Sequence, residues 1–364
     1  MSGQRTMDSP YMHWAKTFQA ARFTLAVSGI KGLSLEELGA TIDDLALDGA
    51  PGYGLPALRE ALAAKAGVSA DRIVLATGTS GANHLAFATL LAPGYHVVIE
   101  HPGYEPIEML ARHLGATVRP FPRRPENGFR VDPADVAAAM TPKTRLVVLS
   151  NLHNPSSVAT NEGTLRDVGA IVERASAKVL VDEAYLDAAF DAAPPSAARL
   201  GDVFLVTTSL TKVFGLGGLR CGWIVAEPSL ASRILQLKNL FGVNEVHAAG
   251  CLALCALKRR GEILARARRI LETNRRSWAS FLAGRSDLDV PGASQGTTVF
   301  PRVLTCDADA LCARLRDRYE TSLVPGRFFG APEHVRVGLC GEPEIFREGL
   351  RRLGSALDEL PGGA

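Results

Sequence analysis

Between Arg72 and Val225 the chain alternates short β-branched runs with stretches of helical character, and no other feature limits its fold so much. The runs are Ile73–Ala76, Val97–Glu100, Leu146–Ser150, Val179–Val181, Val203–Thr207 and Cys221–Val225. Strands this short and this apolar are buried on both faces, and the helical stretches between most of them supply the cover. The expectation is an α/β fold, with a mainly parallel sheet sandwiched by helices. A polar interruption at Arg123–Gly128 reads as a surface loop. From Pro228 the pattern turns helical to about Ala283, with a break near Asn239–Asn244. Composition shifts after Arg285. Gly296–Val303, Ser322–Pro325 and His334–Cys340 then read as an antiparallel set, with helices around Ala308–Tyr319 and Glu344–Leu357. The expected division is an N-terminal arm over 1–44, a large domain over 45–284 and a smaller α+β domain over 285–364, which the arm joins.

Composition serves to exclude. Hydrophobic residues make up 47% against 21% charged, which supplies a packed core and argues against disorder. A formal charge of +2 with no lysine or arginine block leaves no nucleic-acid footprint. The basic runs Lys258–Arg260 and Arg266–Arg276 are interleaved with apolar residues and read as the wet face of a long helix. Six cysteines are scattered, and only Cys251 and Cys255 share a helical spacing. They read as small buried residues on one helix face, since no histidine joins them as a metal ligand. Free thiols and the lack of any apolar run of membrane length lead to the expectation of a soluble cytoplasmic protein. The aromatic-punctuated arm, with Trp14, Phe18 and Phe23, is expected to pack on another subunit.

Chemistry concentrates at Ser209–Trp223, SLTKVFGLGGLRCGW. Lys212 sits just past a strand, between hydroxyl residues and a glycine-rich loop, with Arg220 beyond. A lysine partly desolvated there has a lowered pKa and a free lone pair for attack on an aldehyde. A second stretch, Ala76–Asn83, follows a strand and opens a helix with Gly78, Thr79 and Ser80. Free amides at a helix N-terminus favour a dianion, although the same turn serves as an ordinary helix cap. Asp182 ends another buried run, where an acid reads equally as a loop residue or an N-cap.

The order Ser-x-Thr-Lys, Gly, x-Arg-x-Gly-Trp resembles the cofactor-lysine signature of class I/II aminotransferases, the fold-type I enzymes that depend on pyridoxal 5′-phosphate (PLP). Further stretches in that family's order extend the likeness over nearly the whole chain. The resemblance implies a seven-stranded sheet, a homodimer, and PLP held by Lys212. It implies a phosphate cup of Gly78, Thr79, Ser80, Ser209 and Arg220, and it pairs Asp182 with the pyridine nitrogen through a D-E-x-Y strand end. Tyr185 and Asn154 would bond the phenolic oxygen. Ser156-Ser157 replaces the family's usual Thr-Gly after Asn154-Pro155. Tyr104, in His-Pro-Gly-Tyr, would stack on the ring, although alone it reads as core packing. Arg336, on a strand among apolar neighbours, would grip the substrate α-carboxylate, with Asn154 and Gly29 beside it. Tyr53 abuts Gly52 and Gly54, whereas the family holds its phosphate tyrosine upstream, so its contact with a neighbouring subunit's cofactor stays open. Arg22 and Arg302 are the candidates for gripping a second, side-chain carboxylate. The implied activity is ping-pong amino-group transfer between an L-amino acid and a 2-oxo acid. Other Cα chemistry on the same residues (C–S lysis, decarboxylation, oxidation) and a non-catalytic regulator are the alternatives.

Overall fold

The computed structural model describes residues 8–18, 20–49, 52–242, 244–292 and 295–360. Seven strands form the central sheet in the order Ile73–Thr77, Cys221–Val225, Phe204–Ser209, Lys178–Asp182, Thr144–Ser150, His96–His101 and Thr117–Pro122. Cys221–Val225 runs antiparallel to both of its neighbours, and every other pairing is parallel. Successive side chains leave a strand on opposite faces. Val147, Leu149, Val179, Val181 and Val206 therefore join one core, while Leu146, Val148, Leu180, Leu205 and Ile224 join the other. Each such side chain stabilises the fold by roughly 1.5–3 kcal/mol when fully buried, and that two-sided burial is what the uniformly apolar runs encode.

The seventh strand, Thr117–Pro122, carries no β-branched run and two prolines, so its sequence does not announce it. It lies at the sheet edge, where a missing N–H costs no ladder bond on the outer side. Over 124–128 the stretch after it is the surface turn expected, but the first residue of that expected loop is buried: Arg123 is 1% exposed and ion-paired to Glu100 at 2.7 Å. The helical region divides into Pro228–Lys238, His247–Lys258 and Arg260–Leu282, with the break near Asn239 as read and a second one at Arg259.

In the C-terminal portion Thr298–Val299 and Val324–Pro325 flank Val335–Gly338 in an antiparallel sheet. The helices Ala308–Tyr319 and Pro343–Asp358 pack together beside it. Phe23–Thr24 of the arm pairs in parallel with Thr321–Ser322. Ahead of it, Pro10–Thr17 forms a helix capped by Ser9, whose Oγ accepts from the Met12 amide. That helix folds over its own chain, beside the helix Glu105–His113.

Candidate active site

Parallel strands end on one edge of a sheet, and the loops leaving them enclose the space above it. Asn154 lies just beyond Ser150, Tyr185 beyond Asp182, Lys212 beyond Ser209 and Tyr104 beyond His101. Together with Thr79, Ser80, Asp182, Ser209 and Arg220 they line one cavity of about 440 Å³. Most of the residues singled out in the sequence thus converge.

At the anion end, the helix Gly78–Leu90 starts directly at the strand end, and its first-turn amides have no carbonyl a turn behind them. Gly78 adopts φ +69°, and a Cβ there would come 2.3 Å from Arg220 Nη2. Only a glycine lets the guanidinium lie against this turn. Arg220 itself takes the left-handed φ of 50°, and its carbonyl accepts the Gly78 amide at 2.7 Å. Thr79 Oγ1 donates to Ser209 Oγ at 2.9 Å, which ties two of the expected hydroxyls together.

At the opposite end Asp182 is buried with no ion-pair partner among the described residues. Its Oδ2 accepts from Asn83 Nδ2 at 3.0 Å, and its Oδ1 from the Ala184 amide at 3.0 Å. Asn83 is itself fixed, because Thr207 Oγ1 donates to its Oδ1 at 2.6 Å. Burial pushes the Asp182 carboxyl up, while Asn83, the Ala184 amide and Lys212 pull it back.

Lys212 Nζ donates to Ser28 Oγ at 3.3 Å, and Ser28 Oγ lies 2.9 Å from Tyr185 Oη. Burial pulls the Lys212 ammonium down, but Tyr185 and Tyr11 beside it push harder, and the net shift is upward. This corrects the expectation of a lowered pKa for the cofactor-free chain. Gly29 lies against the same lysine, where a Cβ would come 3.5 Å from its Cα. The extra proton-binding tendency comes from the two phenols, which no local motif around Lys212 reveals.

Arg336 is 1% exposed. Its Nη1 donates to Asn154 Oδ1 at 3.0 Å, its Nη2 to Tyr11 Oη at 3.0 Å and to the Ala26 carbonyl at 3.3 Å, and its Nε has no partner. Behind Asn154 stands a buried relay. Arg123 donates to Glu100 Oε2 at 2.7 Å, and Ser150 donates to Glu100 Oε1 through both its amide, at 2.8 Å, and its Oγ, at 2.5 Å. Ser150 Oγ then accepts the Asn154 amide at 3.0 Å.

Three expected residues lie elsewhere. Tyr53 is 41% exposed, outside this cavity, and its hydroxyl accepts from Asn239 Nδ2 at 3.3 Å. Arg22 pairs with exposed Glu320 at 3.8 Å, and Arg302 is exposed on a strand edge, so neither reaches the cavity as a second carboxylate clamp. Sequence reasoning missed Tyr11, Met12, Lys16, Ser28, Asn83, Glu100 and Ser150. Met12 and Lys16 roof the cavity one helical turn apart. Glu100 and Ser150 ended strands already identified, and a polar residue closing a buried run was the available signal. Cys251 and Cys255 are half-buried rather than buried, and no cluster of metal-ligating side chains occurs among the described residues.

A left-handed turn against an arginine, a buried carboxylate with no ion-pair partner among the described residues and a lysine thus meet at one cavity. The family described as aminotransferase class I and II matches residues 45–353, and the chain belongs to it. Capreomycidine synthase of Streptomyces vinaceus is 32% identical over 93% of this chain and 91% of its own length. An arginine–pyruvate transaminase of Pseudomonas aeruginosa is 32% identical over 82% of this chain and 77% of its own. Among solved structures, a PLP-dependent aminotransferase from Streptococcus suis superposes with a TM-score of 0.91 at 25% identity, covering 99% of this chain and all of that one. A PLP-dependent cyclase, OrfR, superposes with a TM-score of 0.87 at 25% identity, covering 98% of each chain. The chain is a PLP-dependent enzyme of the transaminase family, with the fold-type I architecture. Its residues fit the cofactor: buried Asp182 has, among the described residues, no ion-pair partner of the kind a protonated pyridine nitrogen provides, and Thr79, Ser80, Ser209 and Arg220 turn hydroxyl and guanidinium donors of the sort a phosphate needs into the same cavity.

Proposed function

We propose that this chain moves an amino group between an L-amino acid and a 2-oxo acid, using one pocket for both halves. The observation that carries the reading is that Lys212 and Asp182 line one cavity together with Asn154, whose Oδ1 accepts from the buried Arg336. When bound, PLP supplies an aldehyde that captures the substrate amine and a protonated ring that draws electrons from Cα. Lys212 is the covalent anchor. The Gly78–Ser80 turn, Ser209 and Arg220 hold the phosphate by backbone amides, hydroxyls and a charge-assisted fork. Asp182, oriented by Asn83, keeps the ring nitrogen protonated, and Tyr104 covers the ring face. Tyr185 and Asn154 bond the phenolic oxygen. Arg336 and Asn154 grip the α-carboxylate, which fixes the Cα–H bond relative to Lys212 Nζ. The incoming substrate amine would take the lysine's place on the aldehyde carbon, and the Lys212 amine so released would take the Cα proton and deliver it to the cofactor side, as general base and then general acid.

The molecule acts as a homodimer. Ile42, Leu47, Tyr53, Leu240, Phe241 and Val246 are all exposed apolar or aromatic residues on neighbouring segments. The Asn239–Tyr53 bond and a thiol contact from Cys255 to Asp44 tie those segments into one face. A face of this kind marks an interaction surface, and a second copy seated there brings Tyr53 toward its neighbour's phosphate cup. Unpaired thiols on all six cysteines and no described helix able to cross a membrane accord with a reducing, cytoplasmic setting.

L-arginine with pyruvate is the first pair to test, because a relative covering four-fifths of the chain is named for that pair. Amine appearing on pyruvate in step with loss from the donor, with parallel double-reciprocal plots, supports transfer. A second reading has a specific ground in the capreomycidine synthase relative and the cyclase neighbour: the same residues direct ring closure within one substrate. Mass spectrometry of products formed without any 2-oxo acid separates the two. A cyclised product at full rate under those conditions excludes transfer as the main reaction.

A further inference from the structure

Arg336 is fully buried, yet its hydrogen bonding is incomplete. A guanidinium has five N–H groups. Here they meet Asn154 Oδ1, Tyr11 Oη and the Ala26 carbonyl, and Nε meets nothing. Open donors on a buried cation call for an arriving anion. Tyr11 Oη accepts from Arg336, and its own proton has no acceptor among the described residues. One charged donor with open N–H groups and one neutral donor with a free proton thus stand 3.0 Å apart at the inner end of the arm helix.

The position of Tyr11 is fixed from both sides. Its ring meets Tyr104, Phe328 and Phe329 with centroids 5.7 Å away in each case. Its helix begins at Ser9, whose Oγ donates to Glu105 Oε2 at 2.5 Å, and the Tyr11 amide points to Glu105 Oε1 at 3.5 Å. Glu105 therefore latches the start of the arm helix onto the helix that follows Tyr104.

We infer that the Tyr11 hydroxyl is a direct ligand of the substrate α-carboxylate, completing the Arg336–Asn154 clamp, so that carboxylate binding and the seating of the arm helix reinforce each other. The inference rests on the reading of Arg336 as the carboxylate clamp. In the free chain Tyr11 holds one arginine donor. With a carboxylate present, the phenol donates a hydrogen bond to one carboxylate oxygen while the arginine's open N–H groups meet the other. The arm is then part of the site, and a ligand that lacks a carboxylate does nothing to hold it.

The test uses the holoenzyme with two unreactive probes, propionate and its carboxylate-free isostere propionamide, titrated calorimetrically, and hydrogen exchange across Met12–Thr17. Tyr11→Phe keeps the ring and removes only the hydroxyl, and its thermal midpoint checks folding. The expected result is a propionate Kd raised roughly 10- to 150-fold, the increment of one hydrogen bond to a charged group, with the propionamide Kd unchanged. Propionate should slow exchange of the arm amides in the parent chain and fail to do so in Tyr11→Phe. Glu105→Gln, which leaves the hydroxyl in place, should speed that exchange and weaken propionate in the same sense. A Tyr11→Phe chain that binds propionate as well as the parent, or better, overturns the inference while Arg336→Gln still abolishes binding. Propionate binding that survives Arg336→Gln instead removes the clamp reading, and the Tyr11 inference with it.

Discussion

At the scale of single residues, the proposed chemistry turns on what surrounds the lysine amine. Ser28 stands between Lys212 Nζ and Tyr185 Oη, within hydrogen-bond reach of both. It positions the amine and links its proton to the phenol. Ser28→Ala should lower kcat roughly tenfold, a modest share of a typical acid–base contribution, with KM little changed and the limb of the pH–rate profile that reports the amine displaced. Stopped-flow pH profiles check this, and an unaltered profile counts against any role for Ser28 beyond packing. Asp182 poses the complementary problem, since a buried carboxylate holds its charge only through its donors. Its partner Asn83 was visible in the sequence as part of a Gly/Ser/Thr turn, but nothing there said that its amide reaches across to a strand end. Lys212, Asp182 and Arg336 were singled out through the resemblance to the aminotransferase signature, since a charge on or beside an apolar strand has ordinary uses by itself. Ser28 and Tyr11 were not, because a serine and a tyrosine in an arm have many ordinary uses, and only the folding of the arm over the pocket gives them this one.

At the scale of elements, buried charge holds the site's frame. The Glu100–Arg123 pair joins the ends of two neighbouring strands, and through Ser150 it sets the Asn154 amide. Arg123→Met leaves Glu100 charged and unpaired, and should cost about 3–5 kcal/mol of unfolding free energy. Adding Glu100→Gln should recover much of that, as read by urea denaturation of the single and double variants. A double variant no better than the single one contradicts the pairing argument. Arg123 was misread as loop because a polar run after an edge strand usually is one, and burial beside a partner some twenty residues earlier is not a local property. A second buried acid gives the fold a pH response. Burial raises Glu183 to about 7, against the pull of the Ala197 amide, Ser196 and Lys65, with Asp187 adding to the rise. Between its ordinary value and about 7 the folded chain holds a proton that the unfolded chain has lost, so stability falls as pH rises through that window. Glu183→Gln should remove this decline, worth up to about 3 kcal/mol. Thermal melts of both chains from pH 5 to 8 test it, and parallel curves are the contrary outcome.

At the scale of the whole molecule, strand order and loop position make the site, and the pocket draws on segments from the arm to Arg220, with Arg336 joined to it through Asn154. The sheet was legible because two-sided burial demands uniformly apolar strands. The site's location followed, since parallel strands deliver their loops to one edge. The extra edge strand and the course of the arm were not legible, because prolines hide the first and contacts distant in sequence decide the second. The exposed face around Leu240 and Phe241 predicts a dimer by light scattering, and Leu240→Glu with Phe241→Lys should shift it toward monomer and weaken PLP retention. The central claim is that Lys212 carries the cofactor. Borohydride treatment of the yellow holoenzyme, digestion and peptide mass spectrometry test it most directly. The account predicts a reduced pyridoxyl adduct on the peptide containing Lys212 and on no other. A colourless protein that takes up no PLP, or an adduct fixed to a different lysine, contradicts it.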